Sequence, residues 1–169
     1  PSDVESDLDP LSVHMNWAYW TGNYEQVIQS SPIDQSLSVD ATDALVWSFI
    51  RLGNRHRDQA RRKTGEEANQ FFQLALENYS RAHQIKSDHC QTLYHWGMAL
   101  NYQLRQSDGD MRANLLVESL AKFQSAEDLS PGTSAYDLAC IHAFSGQDQE
   151  CRYWLERARS ASRLPSRQQ

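Results

Sequence analysis

Residues 75–87 read ALENYSRAHQIKS and residues 119–131 read SLAKFQSAEDLSP, and these two stretches decide the fold. Ala75, Tyr79, Ala82 and Ser87 are spaced 4, 3 and 5 residues apart, and Ser119, Phe123, Ala126 and Pro131 repeat that spacing with the same classes of side chain. The order is small, aromatic, small, then a helix stop. Intervals of three and four put the first three positions on one helical face. A small residue lets a neighbouring helix come close, and an aromatic one fills the space beside it. Self-similarity of this kind points to stacked repeats.

The helical period extends outward from both stretches. Residues 43–52 (DALVWSFIRL) and 92–103 (TLYHWGMALNYQ) carry apolar residues at i, i+3, i+4 and i+7, and residues 71–85 and 115–129 each place theirs on one stripe. Alternating strand-like runs are absent. Turn signals fall between the blocks, at Gly22-Asn23, Ser31-Pro32, Thr64-Gly65, Ser87-Asp88, Asp108-Gly109, Pro131-Gly132 and Ser145-Gly146. The pattern predicts eight helices, roughly 10–21, 23–31, 40–63, 66–86, 89–106, 110–129, 133–145 and 147–162, in an all-α chain of antiparallel pairs. Trp47-Ser48 and Trp96-Gly97 set a large aromatic beside a small residue at places read as equivalent. The last pair continues the theme with Leu138, Ala139, His142, Gly146, Cys151, Leu155 and Ala158.

The order small, x3, aromatic, x2, small, x4, Pro, behind a helix with a large–small doublet, resembles the tetratricopeptide repeat (TPR). The resemblance covers about residues 40–162, with a degenerate half-unit at residues 18–28. Counting from Ser87 as the repeat's Pro-type position puts Gly97 on the family's small position and Trp96 on its large neighbour. The resemblance implies an α-solenoid of antiparallel helix pairs, a TPR-like superhelix with units of about 40–88, 89–131 and 132–164. Residues 11–39 then form a helical half-unit and linker, residues 1–10 a flexible acidic start and residues 165–169 a polar tail. The first unit exceeds the 34-residue repeat by about fifteen residues and the second by about ten. Lengthening both helices of each pair would accommodate the excess. Gly97→Leu is expected to unfold or distort the stack, and Gly97→Ala to be mild.

In this family the first helices of successive units line a concave groove that binds partners. Carried across position by position, the groove takes Leu45 and Phe49 from the first unit, then Tyr94, Met98, Asn101 and Tyr102 from the second. Tyr136, Cys140 and Phe144 follow from the third. A TPR subclass grips the terminal carboxylate of chaperone tails with Lys, Asn and Arg at such places. Here only Asn101 is usefully polar, so the expected occupant is an apolar protein segment, helical or extended. The competing reading is that these side chains are core, as aromatic stripes at helical spacing usually are. In the last helix Tyr153 and Trp154, followed by Leu164, are expected to form a second contact surface for self-association or a multiprotein assembly.

Net charge is −6, unevenly distributed: residues 1–43 hold eight acids and no Lys or Arg, and the remainder fourteen acids against sixteen bases. Arg51, Arg55, Arg57, Arg61, Arg62 and Lys63 form a basic cluster, interrupted by the acidic Asp58. It reads either as an anion or nucleic-acid contact or as cations complementing a helix C-terminus. No aromatic residue interleaves it as a stacking platform requires, so nucleic acid ranks behind a protein partner.

Cys90, Cys140 and Cys151 are too few, and odd in number, for a disulfide framework. With no CxxC, HxxxH or HExxH they read as packed thiols, and no metal site or cofactor is expected. Gly-rich phosphate loops and GxSxG are also missing, and Asp108-Gly109-Asp110 reads as a turn, so no catalysis is expected. No apolar run approaches about 18–20 residues and no signal peptide is visible. An intracellular, reducing compartment (cytoplasm or organelle matrix), without secretion, is therefore expected. The chain begins without Met, which leaves open whether a targeting segment preceded it. The function that emerges is a non-enzymatic scaffold or adaptor holding a protein segment in its groove.

Overall fold

Residues 9–32 and 36–161 are described by the computed structural model. Their order is α1 (Pro10–Trp20), α2 (Tyr24–Ser30), α3 (Val39–Ala60), α4 (Gly65–Ile85), α5 (Cys90–Leu104), α6 (Gly109–Leu129), α7 (Ala135–Phe144) and α8 (Asp148–Ser160). Local chemistry sets several of these starts. Asp9 accepts from the Leu11 and Ser12 amides ahead of Pro10 at the first helical position, and Ser38 accepts from the Ala41 amide at the head of α3. His89 Nδ1 does the same for the Thr92 amide of α5. Gly65 and Gly109 open α4 and α6 at φ 62° and 55°, a left-handed geometry that turns the chain back on its preceding helix without a Cβ penalty.

Each helix packs on its successor, α1 also lies against α3, and α3 against α5. The backbones of α5 and α7 stand further apart than those of α3 and α5, and the side chains of Tyr94 and Met98 bridge from α5 to the third pair. The architecture is an all-α solenoid of antiparallel helix pairs of the TPR type. The short α1–α2 pair covers the N-terminal half of α3, where Met15, Ala18 and Val27 meet Ala41, Ala44, Leu45, Val46, Phe49 and Ile50.

Two glycine–aromatic contacts fix how the first two full pairs correspond. A Cβ placed on Gly53 would lie 2.6 Å from the Tyr79 ring, and one on Gly97 would lie 3.0 Å from the Phe123 ring. Tyr79 and Phe123 are both fully buried, and each follows its glycine by 26 residues. Gly53 is therefore the partner of Gly97, and everything in the first pair repeats 44 residues later. This corrects the pairing of Trp47-Ser48 with Trp96-Gly97, which set the first helix five residues out of step. Trp47 instead packs edge-on against His89 at 5.2 Å.

The same register relocates the extra length. α3 has 22 residues because it reaches back under α1–α2, and α5 has only 15. The second helices α4 and α6, with 21 residues each, absorb the excess within the pairs, so the expected lengthening of both helices holds in the first pair alone.

Glu127 joins the second pair to the third. Its carboxylate is 1% exposed and accepts from the Gly132 amide at 2.7 Å and the Ser134 amide at 3.0 Å. Ser134 Oγ donates to the Phe123 carbonyl at 2.7 Å, tying the α6–α7 turn to the buried aromatic plug. In α8 the residue that enters the core is Trp154, 8% exposed and beside Ala158, which removes it from the expected second contact surface. Leu155 turns outward in its place, and Tyr153 is exposed as expected for a surface residue. Leu164 and residues 165–169 lie outside the described residues, as do residues 1–8 of the acidic start.

Candidate functional site

The face shared by α3, α5 and α7 is built in two unlike halves. With the shift of 44, the counterparts of Tyr94, Met98, Asn101 and Tyr102 in the first pair are Ile50, Asn54, Arg57 and Asp58. Leu45 and Phe49, expected on the groove, are instead buried beneath α1–α2 at 6% and 8% exposure. Asn101 is buried as well. The α3 side of the face is accordingly polar where an apolar lining was expected.

Arg57 organises that polar half. Its side chain is 13% exposed and donates to Asp58 Oδ1 and Asn54 Oδ1, both at 3.0 Å. The nitrogen bound to Asn54, Nη1, also faces His95 Nδ1 of α5 at 3.4 Å. The Tyr79 hydroxyl donates to the same Asn54 oxygen at 2.8 Å, linking the face to the buried plug. A guanidinium only donates, so the His95 nitrogen must accept and the ring must be neutral. Burial, with Arg57 and Arg51 adding positive charge nearby, pushes the His95 pKa down to about 4.

Towards α7 the face becomes aromatic and sulfur-bearing. Tyr94 and Met98 are half-buried and reach the third pair's core, and Tyr94 meets Phe123 edge-on at 5.9 Å. On α7, Tyr136 is 38% exposed and Cys140 is half-buried, its thiol pushed up mainly by burial. Between them in sequence, Asp137 is the residue that meets Tyr94. Burial raises its carboxyl to about 6, an effect offset in part by its own backbone, the Tyr94 hydroxyl and Arg105. Tyr94 is in turn pushed up to about 12, chiefly by burial and then by Asp137. Tyr102 is covered by the Arg61 guanidinium at 4.2 Å. Phe144 is exposed but turns to the start of α6, where Arg112 sits 4.9 Å above its ring, and it does not join the others.

Half of the basic cluster is paired with neighbouring acids. Arg55 pairs with Glu25 at 2.6 Å, Arg57 with Asp58, and Lys63 with Glu67 at 2.8 Å. Arg51, Arg61 and Arg62 make no ion pair among the described residues. The stacking aromatic absent from the local sequence is supplied by Tyr102 of α5 under Arg61.

Sequence reasoning passed over Gly53, Asn54, His95, Asp137 and Glu127. The signal that locates the first two was present, since Gly53 precedes Tyr79 by the interval that separates Gly97 from Phe123. Among the described residues no three His, Cys, Asp or Glu side chains converge as metal ligands would, and no helix is long and apolar enough to cross a membrane.

No protein-family model matches the chain, and no curated protein matches it. Two solved structures are similar in fold. Human IFIT1, solved as a dimer with PPP-AAAA, has 13% identity and a TM-score of 0.50 over 88% of this chain and 41% of its own, so this chain spans about two fifths of that protein's length. MamA AMB-1 has 16% identity and a TM-score of 0.48, covering 93% of this chain and 92% of its own. At such identities the likeness is one of fold, and the class it defines is the TPR-like helical solenoid.

Proposed function

We propose that this chain is a non-enzymatic docking module, a scaffold or adaptor that holds a segment of a partner protein across the face of α3, α5 and α7. The observation that carries this reading is that Tyr94 and Met98 on α5 and Tyr136 and Cys140 on α7 all stay partly exposed where the two backbones stand apart. The α5 side chains reach across to the third pair and leave aromatic and sulfur-bearing groups at the surface. Such side chains give large contact area and adapt to an apolar segment, helical or extended.

The test is a displayed library of random peptides selected on the intact chain. Selected peptides are expected to lose at least about tenfold in affinity with Tyr136→Arg, about 1.4 kcal/mol, and to keep it with Tyr153→Ala. Peptides that bind the Tyr136→Arg chain as well as the parent would overturn the placement.

A second reading rests on Arg61, whose stacked guanidinium leaves its edges free for an anion beside Arg62. An anionic polymer bound there would dissociate steeply with added salt, and Arg61→Ala/Arg62→Ala would flatten that slope.

A further inference from the structure

The repeating geometry also identifies the surface on which the stack would grow. Within the molecule, α6 carries the third pair on Leu120, Phe123 and Glu127: Leu120 and Phe123 pack against the α7–α8 core, and Glu127 accepts from the turn that leads into α7. A shift of 32 residues takes Ser119 to Cys151 and Ala126 to Ala158, the small positions that turn inward on α8. The same shift takes Leu120, Phe123 and Glu127 to Arg152, Leu155 and Arg159. These three are all exposed, and on a helix they lie within about 60° of one another. Neither arginine has an ion-pair partner among the described residues. The row that would carry a further pair is thus a leucine between two free cations.

α1 presents the opposite chemistry. Ser12, Met15 and Ala18 turn inward, and the far side of the helix shows Val13, Trp17 and Trp20 at 49%, 59% and 81% exposure. Those three also fall within about 60°, an apolar stripe with no cover among the described residues. Asp40, exposed and unpaired among the described residues, lies in a cleft with Trp20 between α1 and α3. The first 43 residues hold eight acids and no Lys or Arg, of which Glu25 and Asp43 already pair with Arg55 and Lys86, whereas residues 151–169 hold five Arg and one acid, with Arg157 beside Glu127.

We propose that the α8 face of one copy docks on the α1 face of another, continuing the solenoid end to end. Trp17 and Trp20 supply the apolar area, Leu155 sits against them, and Arg152 and Arg159 meet the acidic surroundings of α1. The two surfaces differ, so the contact is heterologous: each copy keeps one free face and the assembly does not close at a dimer. This surface is separate from the α3–α5–α7 face, and its failure would leave that reading untouched.

The experiment is sedimentation of the full chain over a concentration series up to the millimolar range, with Trp17→Ser/Trp20→Ser as one variant and Arg152→Glu/Arg159→Glu as the other. All four side chains are exposed, and circular dichroism of each variant checks that the helices are retained. The parent is expected to rise in mass with concentration beyond that of two chains, and to fall back when salt is added. Each variant alone is expected to stay at one chain. Their equimolar mixture is expected to form a complex of two chains and stop there, because one intact face remains on each. A parent that stays at one chain throughout overturns the proposal. So does a variant that self-associates like the parent, or a mixture that remains two separate species.

Discussion

Gly53 and Gly97 do the same task under different tolerances. At Gly53 the Tyr79 ring stands 2.6 Å from any added Cβ, and the ring cannot withdraw easily because its hydroxyl is tied to Asn54. Overpacking against the anchored ring costs towards the upper end of about 1–3 kcal/mol and helix propensity returns about 1, so Gly53→Ala is expected to destabilise by up to about 2 kcal/mol in urea unfolding. At Gly97 the contact is 3.0 Å and the facing Phe123 ring carries no hydroxyl to anchor it. Gly97→Ala is therefore expected to be near neutral, and Gly97→Leu to cost about 3 kcal/mol or more. Glu127 makes the complementary case, since Glu127→Ala would leave the Gly132 and Ser134 amides buried without an acceptor. A loss of about 2–3 kcal/mol is expected in the same assay, and a loss below about 0.5 would show that water takes the carboxylate's place. Tyr79 and Phe123 could be read from sequence because aromatic plugs keep a fixed offset from small neighbours. Gly53 escaped because two Trp-led doublets match by residue class while the packing obeys distance along the chain. Glu127 escaped too: a glutamate in a last helical turn looks like a solvated one until its turn is folded over it.

Between elements, two half-buried ionisable groups act in opposite senses. His95 seals α3 to α5 in its neutral form, and its folded value of about 4 lies below the usual 6.5. The unfolded chain takes that proton first, so this contribution is complete above about pH 6.5 and is lost as pH falls towards 4. His95→Gln, which keeps an acceptor for Arg57, is expected to remove most of that acid sensitivity in melts between pH 6.5 and 4.5. Asp137, which meets Tyr94 between α5 and α7, behaves the other way. Its folded value of about 6 lies above the usual 3.8, so the folded chain takes the proton first and gains stability as pH falls from about 6 towards 4. Asp137→Asn is expected to melt higher than the parent at pH 8, with the advantage fading by pH 4.5. An unchanged difference across that range would mean that Asp137 is solvated in the folded chain. The helices themselves were legible in the sequence, because periodicity and turn residues act locally. The spacing of α5 from α7 was not, because it depends on how far α6 and its turn carry the third pair outward.

At the scale of the whole molecule, each pair touches only its neighbours, so stability is closer to a sum of local terms than to one shared core. The central pairs are bordered on both sides. α1 and α2 have 11 and 7 residues and are bordered by α3 alone. Helices that short are marginal in isolation and persist through the side chains they place on α3. Amide hydrogen exchange is therefore expected to be fastest in α2, slower in α7–α8 and slowest in α3–α6. The same logic predicts where a defect is felt. Gly53→Ala loosens the contact of α3 with α4, so exchange should accelerate in α1–α4 while α7–α8 stays close to the parent. A molecule with one indivisible core would accelerate everywhere by the same factor, and that result would show the chain unfolding as a single unit instead of pair by pair.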